Sequence, residues 1–169
     1  MEVLIVGGTG FIGQALQKAL DLSGIAYKIL SRRRTKTNHV YWDPAIKQLD
    51  VSTLGSITHI INLAGAGIAD QRWSKRRKEE LISSRVDSTH FLYEECSKHC
   101  PSLEGYIGIS GVNAFGFNDS LCYHETHPFA TDFLHPATDV GFAGSVAECA
   151  AGTNETLIPM IVAIATFFN

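Results

Sequence analysis

No two cysteines in the chain stand at the C-x-x-C spacing of a zinc ribbon or a redox motif. Cys96 and Cys100 are one helical turn apart, and Cys122 and Cys149 stand alone. Reduced thiols in a cytosolic protein are the expectation. A secretory leader is not expected either, because Met1 runs straight into the apolar stretch that starts at Val3. The apolar tail Leu157 to Phe168, interrupted by Pro159 and Thr166, is too short for a membrane span, which takes about 20 residues. Excess positive charge is missing as well: a formal net charge of −3 gives no global attraction to nucleic acid or to an anionic membrane. These absences point to a cytoplasmic protein with neither nucleic acid nor membrane as partner. Its 169 residues, 45% hydrophobic and 18% charged, make one ordinary domain with a substantial core.

What is present begins at the N-terminus. Val3-Leu4-Ile5-Val6 is a short apolar run, followed by the glycine-dense turn Gly7-Gly8-Thr9-Gly10-Phe11-Ile12-Gly13. Gly8, Gly10 and Gly13 spell G-x-G-x-x-G, and Gly7, Gly10 and Gly13 spell the wider G-x-x-G-x-x-G. In either register the first glycine permits a tight turn, Gly10 lets the backbone approach a pyrophosphate, and Gly13 lets the helix lie close on the strand. A strand that stops at glycines and restarts as a helix aims free N–H groups, and the positive end of the helix dipole, at an anion over the turn.

Helical spacing of Phe11, Ile12, Ala15, Leu16, Ala19 and Leu20 predicts a helix to about Leu22, ended by Ser23-Gly24. Ile25 to Leu30 reads as a second strand, so the opening unit is strand, helix, strand with a right-handed crossover and a parallel sheet. At the end of that second strand, a site for the cofactor without a 2′-phosphate usually places an acid toward the ribose hydroxyls. Here the chain reads Ser31-Arg32-Arg33-Arg34. Guanidinium groups bind a phosphate with charge-assisted, often bidentate hydrogen bonds, so Ser31, Arg32 and Arg33 favour NADP, with NAD as the alternative.

His39 to Trp42 reads as a short third strand closed by Asp43-Pro44, and Ala45 to Ser56 as a loop or short helix. The run Thr58 to Gly65 is nearly continuous in apolar residues, as in a parallel strand covered on both faces. Its end, with Asn62, Leu63, Ala64 and Gly65, belongs at the carboxyl end of the sheet, beside the crevice of the glycine turn. Ser74 suits the N-cap of a long helix from Lys75 through Lys98. Lys75, Arg76, Arg77 and Lys78 form a basic run, but the four-residue pairs Lys75-Glu79 and Arg76-Glu80 mark a solvated face. Leu81, Ile82, Val86, Thr89, Leu92, Tyr93 and Cys96 supply the inward stripe. Tyr106 to Ser110 is the next strand. Together these elements predict a three-layer, doubly wound α/β fold with a mainly parallel sheet in the order 3-2-1-4-5.

The glycine turn, Asn62 to Gly65, Arg72-Trp73-Ser74, Ser84-Arg85 with Thr89, and Ile109-Ser110-Gly111 occur in an order that resembles the short-chain dehydrogenase/reductase superfamily. The likeness is closest to its epimerase-like branch, the NAD-dependent epimerase/dehydratase family, and covers about residues 1–134. The resemblance implies a Rossmann-type domain that binds NAD(P) and acts on a small or sugar-like substrate, and it is compatible with a homo-oligomer. By the same resemblance Gly7, Gly10 and Gly13 hold the pyrophosphate, with Phe11 and Ile12 at the helix start. Arg32 and Arg33 meet the 2′-phosphate, and Asn62, Ala64 and Gly65 line the ribose and nicotinamide side.

The superfamily's proton relay is not found. Its serine aligns with Val112, two residues beyond Ser110. Tyr123, the nearest downstream tyrosine, is followed four residues later by His127, and no lysine occurs after Lys98. Ser110 and Tyr123 are weak catalytic candidates, and catalysis, a cofactor-binding sensor module without turnover, and a non-functional fragment of a family member all remain open. Residues 135–169 carry no resemblance and read as a divergent tail, as in a truncated or frame-shifted family member. Asp43, Asn113 and His124 receive no role from the sequence.

Overall fold

The computed structural model describes residues 1–109; Ser110, Asn113, Tyr123, His124 and the tail 135–169 lie outside the described residues. The chain runs β1 (Glu2–Val6), α1 (Phe11–Leu22), β2 (Ala26–Ser31), β3 (His39–Asp43), β4 (Gln48–Leu49), β5 (His59–Asn62), α2 (Lys75–His99) and β6 (Gly105–Gly108). Two 3₁₀ turns, Pro44–Ile46 and Val51–Thr53, interrupt the path from β3 to β5.

The sheet order is β4-β3-β2-β1-β5-β6. Five strands are parallel and in the expected 3-2-1-4-5 order, and β4 adds an antiparallel edge through Trp42–Leu49 and Asp43–Gln48. That edge was not expected from the sequence. A two-residue strand has no periodicity to read. Instead, Asp43 accepts a hydrogen bond from Ala45 N at 3.1 Å, and Lys47 takes a left-handed φ of 50° to reverse the chain.

β1 lies at the centre because it is apolar on both faces. Leu4 and Val6 join Leu30, Val40, Trp42, Ile60, Phe91, Leu92 and Cys96 in the larger core, which α2 covers. Val3 and Ile5 meet Leu20 of α1 on the other side. The two helices therefore flank the sheet, giving three layers. Each fully buried aliphatic side chain here contributes about 1.5–3 kcal/mol relative to exposure. Trp42 and Phe91 stack with ring centroids 5.2 Å apart, fastening β3 to α2.

α1 turns differently from the sequence expectation, whereas α2 buries Leu81, Leu92 and Cys96 of its expected stripe. The buried face of α1 is Gly13, Gln17 and Leu20, and Phe11 and Leu22 are more than nine-tenths exposed. On α2 the buried residues are Arg77, Leu81, Ser88, Phe91, Leu92 and Cys96. Arg77, assigned from the sequence to a solvated face, is only 5% exposed, whereas Lys75 and Arg76 are in solvent as expected. Ser74 caps α2 by accepting from Arg77 N at 3.2 Å.

Candidate dinucleotide-binding site

The carboxyl ends of β1, β2 and β5 meet at one edge of the sheet, because all three run parallel. Directly after β1, Gly7 has φ +76°, a conformation that side chains disfavour. A Cβ there would also stand 2.9 Å from the Leu63 carbonyl carbon and oxygen and 3.0 Å from Ala64 N. Gly7 thus turns the chain and lets it press against the segment leaving β5, so the wider register is the one whose first glycine the backbone requires. Gly8 is not idle: a Cβ on it would stand 2.9 Å from Ile29. Gly10 N donates to Gly7 O at 3.0 Å, closing the turn. Gly13 sits on the turn itself, since a Cβ would come within 2.5 Å of Gly8 Cα and O.

Gly10 is the N-cap of α1, and no side chain caps it. The first N–H groups of a helix have no partner within the helix, and among the described residues no Ser, Thr, Asp or Asn side chain supplies one. Thr9, Gly10, Phe11 and Ile12 are exposed around this end. Open backbone donors, a helix dipole and a glycine-walled approach fit a pyrophosphate. One residue that sequence reasoning missed fixes the loop: buried Gln17 donates from Nε2 to Gly8 O at 2.7 Å and to Gly13 O at 3.2 Å. A glutamine one turn beyond Gly13, on the same helix face, was the available signal.

At the end of β2, Ser31 Oγ accepts from Arg33 N at 3.1 Å, and the Arg33 carbonyl lies 3.1 Å from His39 Nδ1. The backbone of this basic loop is thereby held. The three arginines part company: Arg34 pairs with Asp50, whereas Arg32 and Arg33 are exposed and their side chains have no partner among the described residues.

At the end of β5, Asn62 points inward and is 8% exposed. Its Nδ2 donates to Thr89 Oγ1 at 3.2 Å and to the Tyr106 hydroxyl at 3.0 Å, and its Oδ1 accepts from Ala64 N at 3.1 Å. Burial raises the Tyr106 phenol above its ordinary value, against the opposing pull of the Asn62 and Thr89 hydrogen bonds. The Asn62 side chain is therefore committed to shaping the loop, which leaves the Leu63–Gly65 backbone to face the crevice. Leu63 and Ala64 are half-buried and Gly65 is exposed. The catalytic candidates Ser110 and Tyr123 lie outside the described residues. Among the described residues no group of three or more His, Cys, Asp or Glu could hold a metal ion, and no helix is long and apolar enough to cross a membrane.

A parallel sheet whose first strand feeds a glycine turn and an uncapped helix, at the centre of a 3-2-1-4-5 order, defines a Rossmann-type domain. The chain belongs to the NAD dependent epimerase/dehydratase family, whose model matches residues 3–138. It is 32% identical over 130 residues to human epimerase family protein SDR39U1, covering 76% of this chain and 43% of that protein. The crystal structure of human SDR39U1 (isoform 2) with NADPH superimposes with a TM-score of 0.75 at 27% identity, over 96% of this chain and 52% of that one. MoeE5 in complex with UDP-glucose and NAD shares the fold, with a TM-score of 0.74 at 24% identity, over 90% of this chain and 50% of that one. The chain spans less than half the length of the curated relatives it matches.

Proposed function

We propose that the chain binds NADP(H) in preference to NAD(H), in the manner of an epimerase-like member of its family acting on a small or sugar-like substrate. The observation that carries this reading is the pairing of an uncapped, glycine-lined N-terminus on α1 with two exposed guanidinium groups, unpaired among the described residues, at the end of the neighbouring β2. The pyrophosphate sits at Gly7, Gly8, Thr9, Gly10, Phe11, Ile12 and Gly13. The 2′-phosphate meets Ser31, Arg32 and Arg33, and the other ribose passes over Leu63, Ala64 and Gly65, whose path Asn62 sets. Human SDR39U1, with NADPH in its crystal structure, supports the choice of cofactor.

Fluorescence titration of the chain with NADPH and NADH tests the reading. Charge-assisted hydrogen bonds contribute about 1.5–3 kcal/mol, which is a preference for NADPH of about tenfold to a hundredfold. Replacing Arg32 and Arg33 by alanine should abolish that preference and leave NADH affinity unchanged. Equal affinity for the two cofactors in the unaltered chain would refute the 2′-phosphate assignment.

A second reading is a dinucleotide-binding module without turnover; it is favoured by the sequence at Tyr123, which is followed four residues later by His127 and not by the lysine of a Tyr-x-x-x-Lys pair. Oxidation of NADPH followed by absorbance across a panel of small carbonyl and sugar-nucleotide compounds separates the two, turnover deciding for the first.

A further inference from the structure

One face of α2 is devoted to the loop that leaves β5. Arg85 donates from Nη2 to Ala66 O at 3.1 Å and from Nη1 to Leu81 O, its own helix's carbonyl, also at 3.1 Å. Ser84 Oγ accepts from Ala66 N at 3.0 Å. A turn earlier, buried Arg77 donates from Nη2 to Gly67 O at 2.5 Å, while its Nη1 pairs with Glu80 Oε2 at 2.8 Å. Arg77 Nε is buried without a partner among the described residues. Two glycines make room for this arrangement: a Cβ on Gly65 would stand 2.9 Å from the Arg85 guanidinium carbon, and one on Gly67 would collide with the Asp70 carboxylate.

Arg85 has no acidic partner among the described residues; its charge is met by main-chain carbonyls alone. Burial, and secondarily the nearby Arg77, hold its guanidinium below its ordinary value. A partly desolvated charge of this kind is costly, and covering a loop end alone does not require one. The loop it grips continues the segment against which Gly7 packs, so the latch and the glycine turn are two ends of one backbone contact. Strand order then says which half of a dinucleotide this loop meets. With the pyrophosphate over β1 and the 2′-phosphate at β2, the nicotinamide half extends to the other side of β1, over β5.

We infer that Arg85, with Ser84 and Arg77, is a positioning latch that fixes the Leu63–Gly67 backbone under the nicotinamide half of the cofactor without touching the adenine half. The inference rests on the dinucleotide reading given above.

The full chain tests it with two probes, NADPH and 2′,5′-ADP, the latter carrying the adenine half and 2′-phosphate alone. In Arg85→Met, NADPH affinity should fall about tenfold, the scale of one lost charge-assisted hydrogen bond, while 2′,5′-ADP affinity stays within about twofold. Arg85→Lys keeps the charge but cannot span both carbonyls, so the same split is expected there, and it serves if the methionine variant does not fold. Affinities unchanged for both probes, or lowered equally for both, would overturn the latch. Loss of the folded state in both variants, read by circular dichroism, would make Arg85 a stability element and overturn it too. Failure of the unaltered chain to bind either probe would sink the dinucleotide reading itself, a distinguishable result.

Discussion

Alanine at three glycines separates folding from binding. At Gly13 a Cβ would lie 2.5 Å from Gly8 Cα and O, all main chain, roughly 1 Å inside ordinary contact, so no rotamer relieves it. Overpacking of this kind costs about 1–3 kcal/mol. Alanine returns about 1 kcal/mol of helix propensity, since Gly13 lies inside α1. The net loss is on the order of 1 kcal/mol, or about 4 °C in melting temperature for a domain of this size. On the proposed binding mode the larger effect is on the ligand: α1 must lift from the turn, which would carry its open N–H groups away from a pyrophosphate held there, for a loss of at least about tenfold in NADPH affinity.

Gly24 is the opposite case. Its φ is +64° and no atom of the described residues lies within 4 Å of its would-be Cβ, so Gly24→Ala should cost about 1–2 kcal/mol in left-handed strain and leave binding intact. At Gly10 the nearest atom among the described residues is Gly7 O at 3.3 Å, a contact the turn must ease by a few tenths of an ångström, so Gly10→Ala should melt only slightly below the unaltered chain, yet on the proposed binding mode bind NADPH poorly, because its methyl group would stand in the anion's approach. Differential scanning fluorimetry and a fluorescence titration on the three variants read both axes. Gly13→Ala that keeps full NADPH affinity and an unchanged melting temperature would refute the packing of helix on turn.

Asn62→Ala should cost about 1–3 kcal/mol, because it leaves the half-buried Tyr106 hydroxyl without its Asn62 partner and frees Ala64 N; urea unfolding followed by circular dichroism measures it. A variant as stable as the unaltered chain would show that Asn62 does not set the loop. Acid should destabilise the protein through Glu2 and Asp50. Burial raises Glu2, but hydrogen bonds from Ser56 and Lys28 and the Lys28 charge leave it below its ordinary value. Asp50 is lowered by Ser52, with Arg34 adding to it. Both folded values lie below the unfolded ones. Their stabilisation is therefore complete above the ordinary carboxylate range near pH 4 and is lost as pH falls through the lowered values. Melting curves from pH 6 to 2.5 check this, and Glu2→Gln should flatten the decline.

The parts of the fold legible in the sequence were those that repeat or punctuate. β1 and β5 announce themselves as apolar runs because parallel strands are covered twice, and Ser23-Gly24 and Ser74 mark helix ends by chemistry that acts locally. The register of Gly7, Gly8, Gly10 and Gly13 was ambiguous in the sequence, since both spacings fit. The contact that distinguishes them runs from Gly7 to Leu63 and Ala64, residues far along the chain. Arg77 and Arg85 were unreadable for a related reason. Four-residue spacing describes neighbours on a helix surface, and it says nothing of a loop that returns over that surface and offers its carbonyls to a guanidinium. Asn62 was recognised as belonging to the site's edge, but two of its three side-chain hydrogen bonds depend on Thr89 and Tyr106, which only the sheet and α2 bring within reach.

The central place of β1 also orders events in time. Val3 pairs with His59, and His59 in turn with Gly105, so β1 waits for a neighbour on its β5 side until more than half of the described residues have followed it. Long-range parallel pairing of this sort forms slowly, because long stretches of chain must close before any contact rewards them. At ordinary synthesis rates the interval is a matter of seconds. During it Val3, Leu4, Ile5 and Val6, the most deeply buried run in the finished sheet, have one side without its strand. The segment that ends in the glycine turn is thus the one the nascent chain most needs to keep from foreign strands.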